Sequence, residues 1–232
     1  MTAPRSLLRQ LLAATLATLF TTIVAMTTAD AQSVHVVTYL DLAPAQITKA
    51  TPLLRQYQTT GRKAQGNTGV ELFQEIGRPG RIVLRETWAD QKAFEANGKA
   101  AAAALETALK PLQTAPADQR VHLDFASGSG PAKPAGATVY VFTHVDVPPP
   151  RQGDLEPMLR QIQAASVKTA TSVRYDVLQQ SSRKNHFTVV EAWTGLTTFE
   201  AQAMSEVQRE YRNKLGSMLG ALYDQRLYRL LK

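Results

Sequence analysis

The sequence predicts an α+β fold: two tandem βαββαβ units that pack together within one chain. The first observation is a repeated stretch. Glu86-Thr87-Trp88 followed by Phe94-Glu95-Ala96 recurs 105 positions later as Glu191-Ala192-Trp193 followed by Phe199-Glu200-Ala201. The second is that the offset holds elsewhere. It aligns Val34, Val36, Thr38, Asp41 and Pro44 with Val139, Val141, Thr143, Asp146 and Pro149, and Pro52, Leu54, Arg55 and Lys63 with Pro157, Leu159, Arg160 and Lys168. One added residue then matches Asp118-Gln119-Arg120 to Asp224-Gln225-Arg226. The third is that strand-like and helix-like periodicities alternate in the same order in both copies. Solenoids use shorter units and at least three of them, so this is a duplication.

Val34 to Leu40 alternates and is rich in β-branched residues, so it reads as a strand. One face carries Val34, Val36, Thr38 and Leu40; the other carries His35, Val37 and Tyr39. The second copy repeats this with Val139, Val141 and Thr143 against Tyr140, Phe142 and His144. Pro44 to about Thr60 reads as a helix with Ala50, Leu54 and Tyr57 on one stripe; Leu155, Leu159 and Ile162 repeat it. Pro44 and Pro149 suit a first helical turn. Second strands follow at Val70 to Ile76 and Tyr175 to Gln179, with hairpin connections at Arg78-Pro79-Gly80 and Ser181 to Asn185. Third strands end at Trp88 and Trp193. Second helices follow, with Asp90 as N-cap of one and Thr194 or Thr197 as N-cap of the other. Their apolar stripes are Phe94, Ala101, Leu105 and Leu112, and Phe199, Ala203, Val207, Tyr211, Leu215 and Leu219. Last strands close each copy at Val121 to Phe125 and Leu227 to Leu231. Each copy is thus the ferredoxin-like plan, with helices on one sheet face. The open face holds His35, Tyr39, Tyr140, Phe142 and His144, too apolar for water, so the two sheets should cover each other.

The division is a leader over residues 1–31, a first copy over 32–126, a linker over 127–136 and a second copy over 137–232. The leader has basic Arg5 and Arg9, an apolar run from Leu11 to Met26, and small residues at Ala29 and Ala31, the pattern of a cleaved secretory signal. The chain is then expected in the periplasm or secreted, with no stable membrane anchor. Removing the leader takes away two arginines and one aspartate, and the formal charge falls from +7 to +6. The basic excess is scattered and forms no nucleic-acid module. There is no cysteine, which excludes disulfides, thiol nucleophiles and cysteine metal sites. No histidine pair has metal-ligand spacing, and no phosphate loop, nucleophile elbow or dinucleotide fingerprint occurs.

The chain resembles the antibiotic biosynthesis monooxygenase family, the dimeric α+β barrel group that includes quinol monooxygenases. The residues that carry the resemblance are a third strand ending Glu-x-Trp and a helix opening Phe-x-Ala. The second copy fits best through Arg174-Tyr175-Asp176-Val177-Leu178-Gln179, Glu191-Ala192-Trp193 and Phe199-Glu200-Ala201. The resemblance implies an intrachain barrel and an oxygenase needing neither metal nor flavin, acting with O₂ on a small aromatic or quinol. A tandem pair needs no second chain, so a monomeric pseudo-dimer is expected. The family's helix histidine falls on Asn97 and Gln202, and its third-strand asparagine on Leu84 and Val189. Haem-degrading relatives hold iron through a histidine on that helix, so haem degradation ranks below the quinol reading. A barrel that binds a hydrophobic molecule or partner without turnover is the alternative.

Trp193, His144, Glu191 and Trp88 are the candidate catalytic residues, and Tyr175, Gln202, Tyr39, Asn97 and Phe142 the candidate substrate-binding residues, with the second copy favoured. Each also has a plainer expected role. The tryptophans pack between sheet and helix. Glu86 and Glu191 form ion pairs with helix residues. His35, His144 and Tyr39 are satisfied interior groups. His122 and His186 lie near strand ends in solvent.

Overall fold

The computed structural model describes residues 32–231; the expected leader lies outside the described residues. Eight strands carry the architecture: β1 (Val34–Asp41), β2 (Asn67–Glu75), β3 (Arg78–Trp88) and β4 (Asp118–Ser129) from the first copy, then β5 (Val139–Asp146), β6 (Ser172–Gln180), β7 (His186–Trp193) and β8 (Asp224–Leu230) from the second. They close into a barrel in the order β1-β3-β2-β8-β5-β7-β6-β4. Each copy keeps the ferredoxin-like strand order, β4-β1-β3-β2 and β8-β5-β7-β6. The register repeats too: Val34 faces Trp88, and Val139 faces Trp193. The copies join edge to edge through β2–β8 and β4–β6, so the strand edges left open by each sheet are consumed by the other.

Residues 127–129 of the expected linker belong to β4, where Ser127 to Ser129 pair with Asp176 to Arg174 of β6. A register shift between Asp124 and Ala126 lets β4 run on into the second sheet. Small residues there read as linker, but they suit a strand that crosses between copies under close backbone approach. The hairpin turn after β2 also sits earlier than expected. Gly77 supplies the positive φ, +83°, so Arg78, Pro79 and Gly80 are already in β3.

The helices lie outside the barrel. α1 (Ile47–Gly61) follows a 3₁₀ turn opened by Pro44, and α4 (Gln152–Ser166) follows one opened by Pro149. The first copy's second helix is α2 (Gln91–Ala93), a π-helical turn (Phe94–Gly98) and α3 (Lys99–Leu109). Asp90 caps it as expected, accepting from the Ala93 N–H at 2.7 Å. The second copy breaks the matching helix into α5 (Leu196–Ala203) and α6 (Glu206–Gly216). Gly195, not Thr194 or Thr197, is the N-cap of α5, and Ser205 caps α6. The added residue that shifts the repeat from 105 to 106 falls in this region. Leu109 is buried on the first helix, a position the expected stripe missed.

Strand alternation decides what faces where. Val34, Val36 and Leu40 face the helices. Val37, Phe73, Val83, Phe142, Leu178 and Tyr228 form one buried cluster inside the barrel. Phe142 stacks edge-on to Phe73 and Tyr228 at 5.2 and 5.3 Å. Each such ring contributes about 2–3 kcal/mol by leaving water.

Candidate functional site

On β3, Leu84, Glu86 and Trp88 point toward the helices; on β7, Val189, Glu191 and Trp193 do the same. Both carboxyls are buried, and burial pushes each up to about 7. The copies then differ. Trp193 Nε1 donates to Glu191 Oε2 at 2.9 Å, which, with the nearby Arg212 charge, moderates the shift. In the first copy Tyr57 Oη donates to Glu86 Oε1 at 2.9 Å. Glu86 Oε2 and Trp88 Nε1 are both buried with no hydrogen-bond partner. Trp88 lies near enough to moderate the Glu86 pKa but not in hydrogen-bonding geometry. The expected ion pairs to helix residues do not form: a carboxyl held near neutrality takes neutral donors.

Gly98 accounts for the difference between the indoles. A Cβ there would sit 2.4 Å from Trp88 Cζ2, so Trp88 lies against bare helix backbone. The matching position in the second copy is Ala203.

The cavities between sheet and helices are also swapped. The first copy holds a cleft of about 30 Å³ lined by Thr38, Leu84, Leu105, Leu109, Ala117 and Gln119. In the second copy Tyr223, packed against the core cluster, stands where the first copy has Ala117. Gln225 Nε2 donates to the Tyr223 hydroxyl at 3.4 Å and to Thr143 Oγ1 at 3.2 Å. Gln119 repeats the second bond, to Thr38 Oγ1 at 3.4 Å. Burial, with Glu191 nearby, pushes Tyr223 up to about 12. Conversely, Ile162 stands where the first copy has Tyr57, and a groove of about 60 Å³ opens between α4 and α6, lined by Met158, Ile162, Val207 and Tyr211.

Of the expected site residues, Trp193, Glu191 and Tyr175 come together, Tyr175 facing Glu191 across the β6–β7 ladder. Gln202 is half-buried on α5. Asn97 is exposed and donates to the Gln65 carbonyl at 3.0 Å. His144, Tyr39 and Phe142 lie inside the barrel, across the sheet from Trp193. The alternation along β5 and β7 forbids one site containing them all. Both tryptophans are buried core residues, and among the described residues neither lines the cavities above.

The barrel interior holds three histidines. His122, expected in solvent, is 1% exposed because β4 is not an edge. It hydrogen-bonds Thr188 at 3.0 Å, Thr188 bonds His144 at 3.4 Å, and Arg120 donates to His144 at 3.1 Å. Burial lowers His35 to about 3 and His122 and His144 to about 4. His186 is half-buried and 2.9 Å from Asp146. At the end of the barrel where β1 begins, Arg85 pairs with Asp176 at 2.6 Å and Arg174 with Glu71 at 2.9 Å, across the lumen between copies. Reading each copy by its match to a family pattern passed over this network. Its signal is where the copies disagree: Arg85 against Val190, and Gly69 against Arg174. Among the described residues, no group of three or more His, Asp or Glu side chains could hold a metal ion. No helix among them is long and apolar enough to cross a membrane.

The model of the antibiotic biosynthesis monooxygenase family matches residues 33–104. The match falls on the first copy, not on the second, which the motif reading favoured. No curated protein matches the chain. Among solved structures, one named a putative monooxygenase from Fusobacterium nucleatum superposes with a TM-score of 0.76 at 13% identity, covering 87% of this chain and 94% of that one. An anthrone oxidase-like protein gives 0.66 at 14% identity, covering 88% and 93%. A major regulator of staphylococcal pathogenesis gives 0.56 at 10% identity, covering 85% and 99%. At these identities the likeness is one of fold. The first copy thus matches the antibiotic biosynthesis monooxygenase model, and the two-copy α+β barrel has the fold of solved structures named for monooxygenases.

Proposed function

We propose that the protein is a cofactor-independent monooxygenase that oxidises a phenol or quinol in the sheet–helix cleft of its first copy. One observation carries this reading. In the second copy the phenol ring of Tyr223, hydrogen-bonded to Gln225, stands at the matching position; the first copy keeps the glutamine and threonine and omits the ring. The phenol side chain of the second copy supports a phenolic occupant for the first copy's cleft. A substrate larger than the resting cleft enters by displacing the lining of α3.

Glu86 stands two residues along β3 from Leu84 in the cleft wall, about 7 Å away. Its free Oε2 and pKa near 7 suit a general base for a phenolic proton, and the free Trp88 N–H, two residues further along β3 and outside the resting cleft, suits a donor to developing negative charge once the substrate extends past Leu84 toward both. The deprotonated substrate supplies electrons to O₂; one oxygen atom enters the ring system and the other leaves as water. The anthrone oxidase-like name of a structural neighbour agrees with this substrate class but rests on fold alone. The proposal extends to location and assembly: export through residues 1–31, cleavage before Gln32, and action as a monomer.

The test is O₂ uptake by the purified protein with a panel of quinols and phenols. Uptake should be lost in Trp88→Phe and kept in Trp193→Phe. Activity should rise as pH passes through about 7, where Glu86 loses its proton, and Glu86→Gln should remove that limb. Tight aromatic binding with no uptake would favour a binding barrel, the reading that Leu84 in place of the family's strand asparagine supports.

A further inference from the structure

A further cavity lies away from both sheet–helix clefts. It is a cleft of about 510 Å³ at the barrel end where β1 begins, with Arg62, Arg85, Arg174, Glu71, Asp124 and Asp176 among its lining. Arg85 is 4% exposed, and its Nη1 and Nη2 are spent on Glu71, Asp176 and His35. Its Nε has no partner. Arg174 spends Nη1 on Glu71, and its Nε lies 3.5 Å from Asp176 Oδ2 without hydrogen-bond geometry, while its Nη2 is buried without an acceptor. Arg62 reaches in from the end of α1 and donates Nε and Nη2 to the Val70 carbonyl, so its charge faces no carboxylate directly. Buried guanidinium N–H groups without acceptors are costly and rare. Here they gather in one open cleft.

The duplication marks this end as specialised. Positions His35, Gly69, Arg85 and Thr87 match Tyr140, Arg174, Val190 and Ala192. One copy is polar where the other is largely apolar, while the strand register around them is identical. Gly69 lacks the side chain that its counterpart sends across the lumen, which leaves the space beside Arg174 open.

We propose that this cleft binds a small oxyanion, a carboxylate or phosphate, through Arg174 and Arg62 over the Arg85–Asp176 floor. Planar guanidinium groups with unused N–H donors match an oxyanion's paired oxygens. Glu71 and Asp176 hold the guanidiniums in place rather than consuming all their donors. The site stands apart from the cleft at Ala117, so it does not rest on the oxygenase reading.

Calorimetric titration of the purified protein at low ionic strength tests it, with sodium phosphate in one arm and sodium benzoate in the other. The expected result is saturable one-to-one binding in at least one arm, which also identifies the anion type. Arg62→Gln should weaken it about tenfold, the share of one charge-assisted hydrogen bond, and Arg174→Gln more. Arg62 lies outside the ion network, so Arg62→Gln keeps the test valid if Arg174→Gln unfolds. Ala117→Tyr should leave anion binding unchanged. No saturable heat in either arm, or binding indifferent to Arg62→Gln, overturns the proposal.

Discussion

Gly98 and Ala117 are each smaller than their counterparts Ala203 and Tyr223. Gly98→Ala places a methyl within 2.4 Å of the buried Trp88 ring. Overpacking of that kind costs about 1–3 kcal/mol, against about 1 kcal/mol gained in helix propensity. The ring is buried on all sides, so the clash wins. The urea midpoint should fall, and the Trp88 emission should shift as the indole moves. A rise in midpoint would show that Trp88 does not depend on the bare backbone. Sequence reading singled out Trp88, Trp193 and Glu191 because the duplication repeats them, and Tyr175 from the family resemblance. It passed over Ala117 and Tyr223 because its weight lay on positions where the copies agree, and these matter where they differ.

At the scale of elements, the strand and helix order was legible from periodicity, and β1, β3, β5 and β7 ended near where alternation placed them. The long β4 was not legible, since Ala126-Ser127-Gly128-Ser129 has the composition of a linker and becomes strand only by pairing with β6. The same cross-copy contacts set the cost of disturbing the ion network. Arg85→Ala leaves Asp176 buried without its nearest charge, a loss of about 3–5 kcal/mol. Arg85→Met with Asp176→Leu removes both charges and should recover most of it. Urea denaturation of the single and double variants checks this. Equal losses in both would mean the pair acts through packing and not charge. The candidate site suffered from a related blind spot: His144, Tyr39 and Phe142 were grouped with Trp193, although alternation already assigns them to opposite sheet faces.

Residues 32–231 fold as one closed barrel, so the interior charge states bear on all of it at once. His35 is held near 3 and His122 and His144 near 4, below their ordinary 6.5, so the unfolded chain takes up protons first as pH falls. Their stability contribution is present above about 6.5 and is lost as pH drops toward 4. Glu86 and Glu191 are raised to about 7 from 4.5, so their effect is opposite: stability is lost as pH rises from 4.5 through 7. Between 4.5 and 6.5 three protons oppose two, a net slope of about 1.4 kcal/mol per pH unit; below 4.5 the histidines act alone and the slope approaches about 4 kcal/mol per pH unit. Thermal melts should peak near pH 6.5 and fall steeply below pH 4.5, with His122→Gln removing one proton from the acid limb. A flat profile from pH 4 to 7 would show these groups solvated.

On the proposed function the duplicated copies divide their labour: the first copy's cleft is open for a phenol where the second copy supplies one from Tyr223. The most direct measurement exchanges the two copies' residues and follows O₂ uptake with the best quinol or phenol of the panel. Ala117→Tyr should abolish uptake while the protein stays folded, and Ile162→Tyr, which closes the groove of the second copy, should leave uptake intact. Uptake that survives Ala117→Tyr and disappears in Ile162→Tyr would place the chemistry in the other copy and contradict the account.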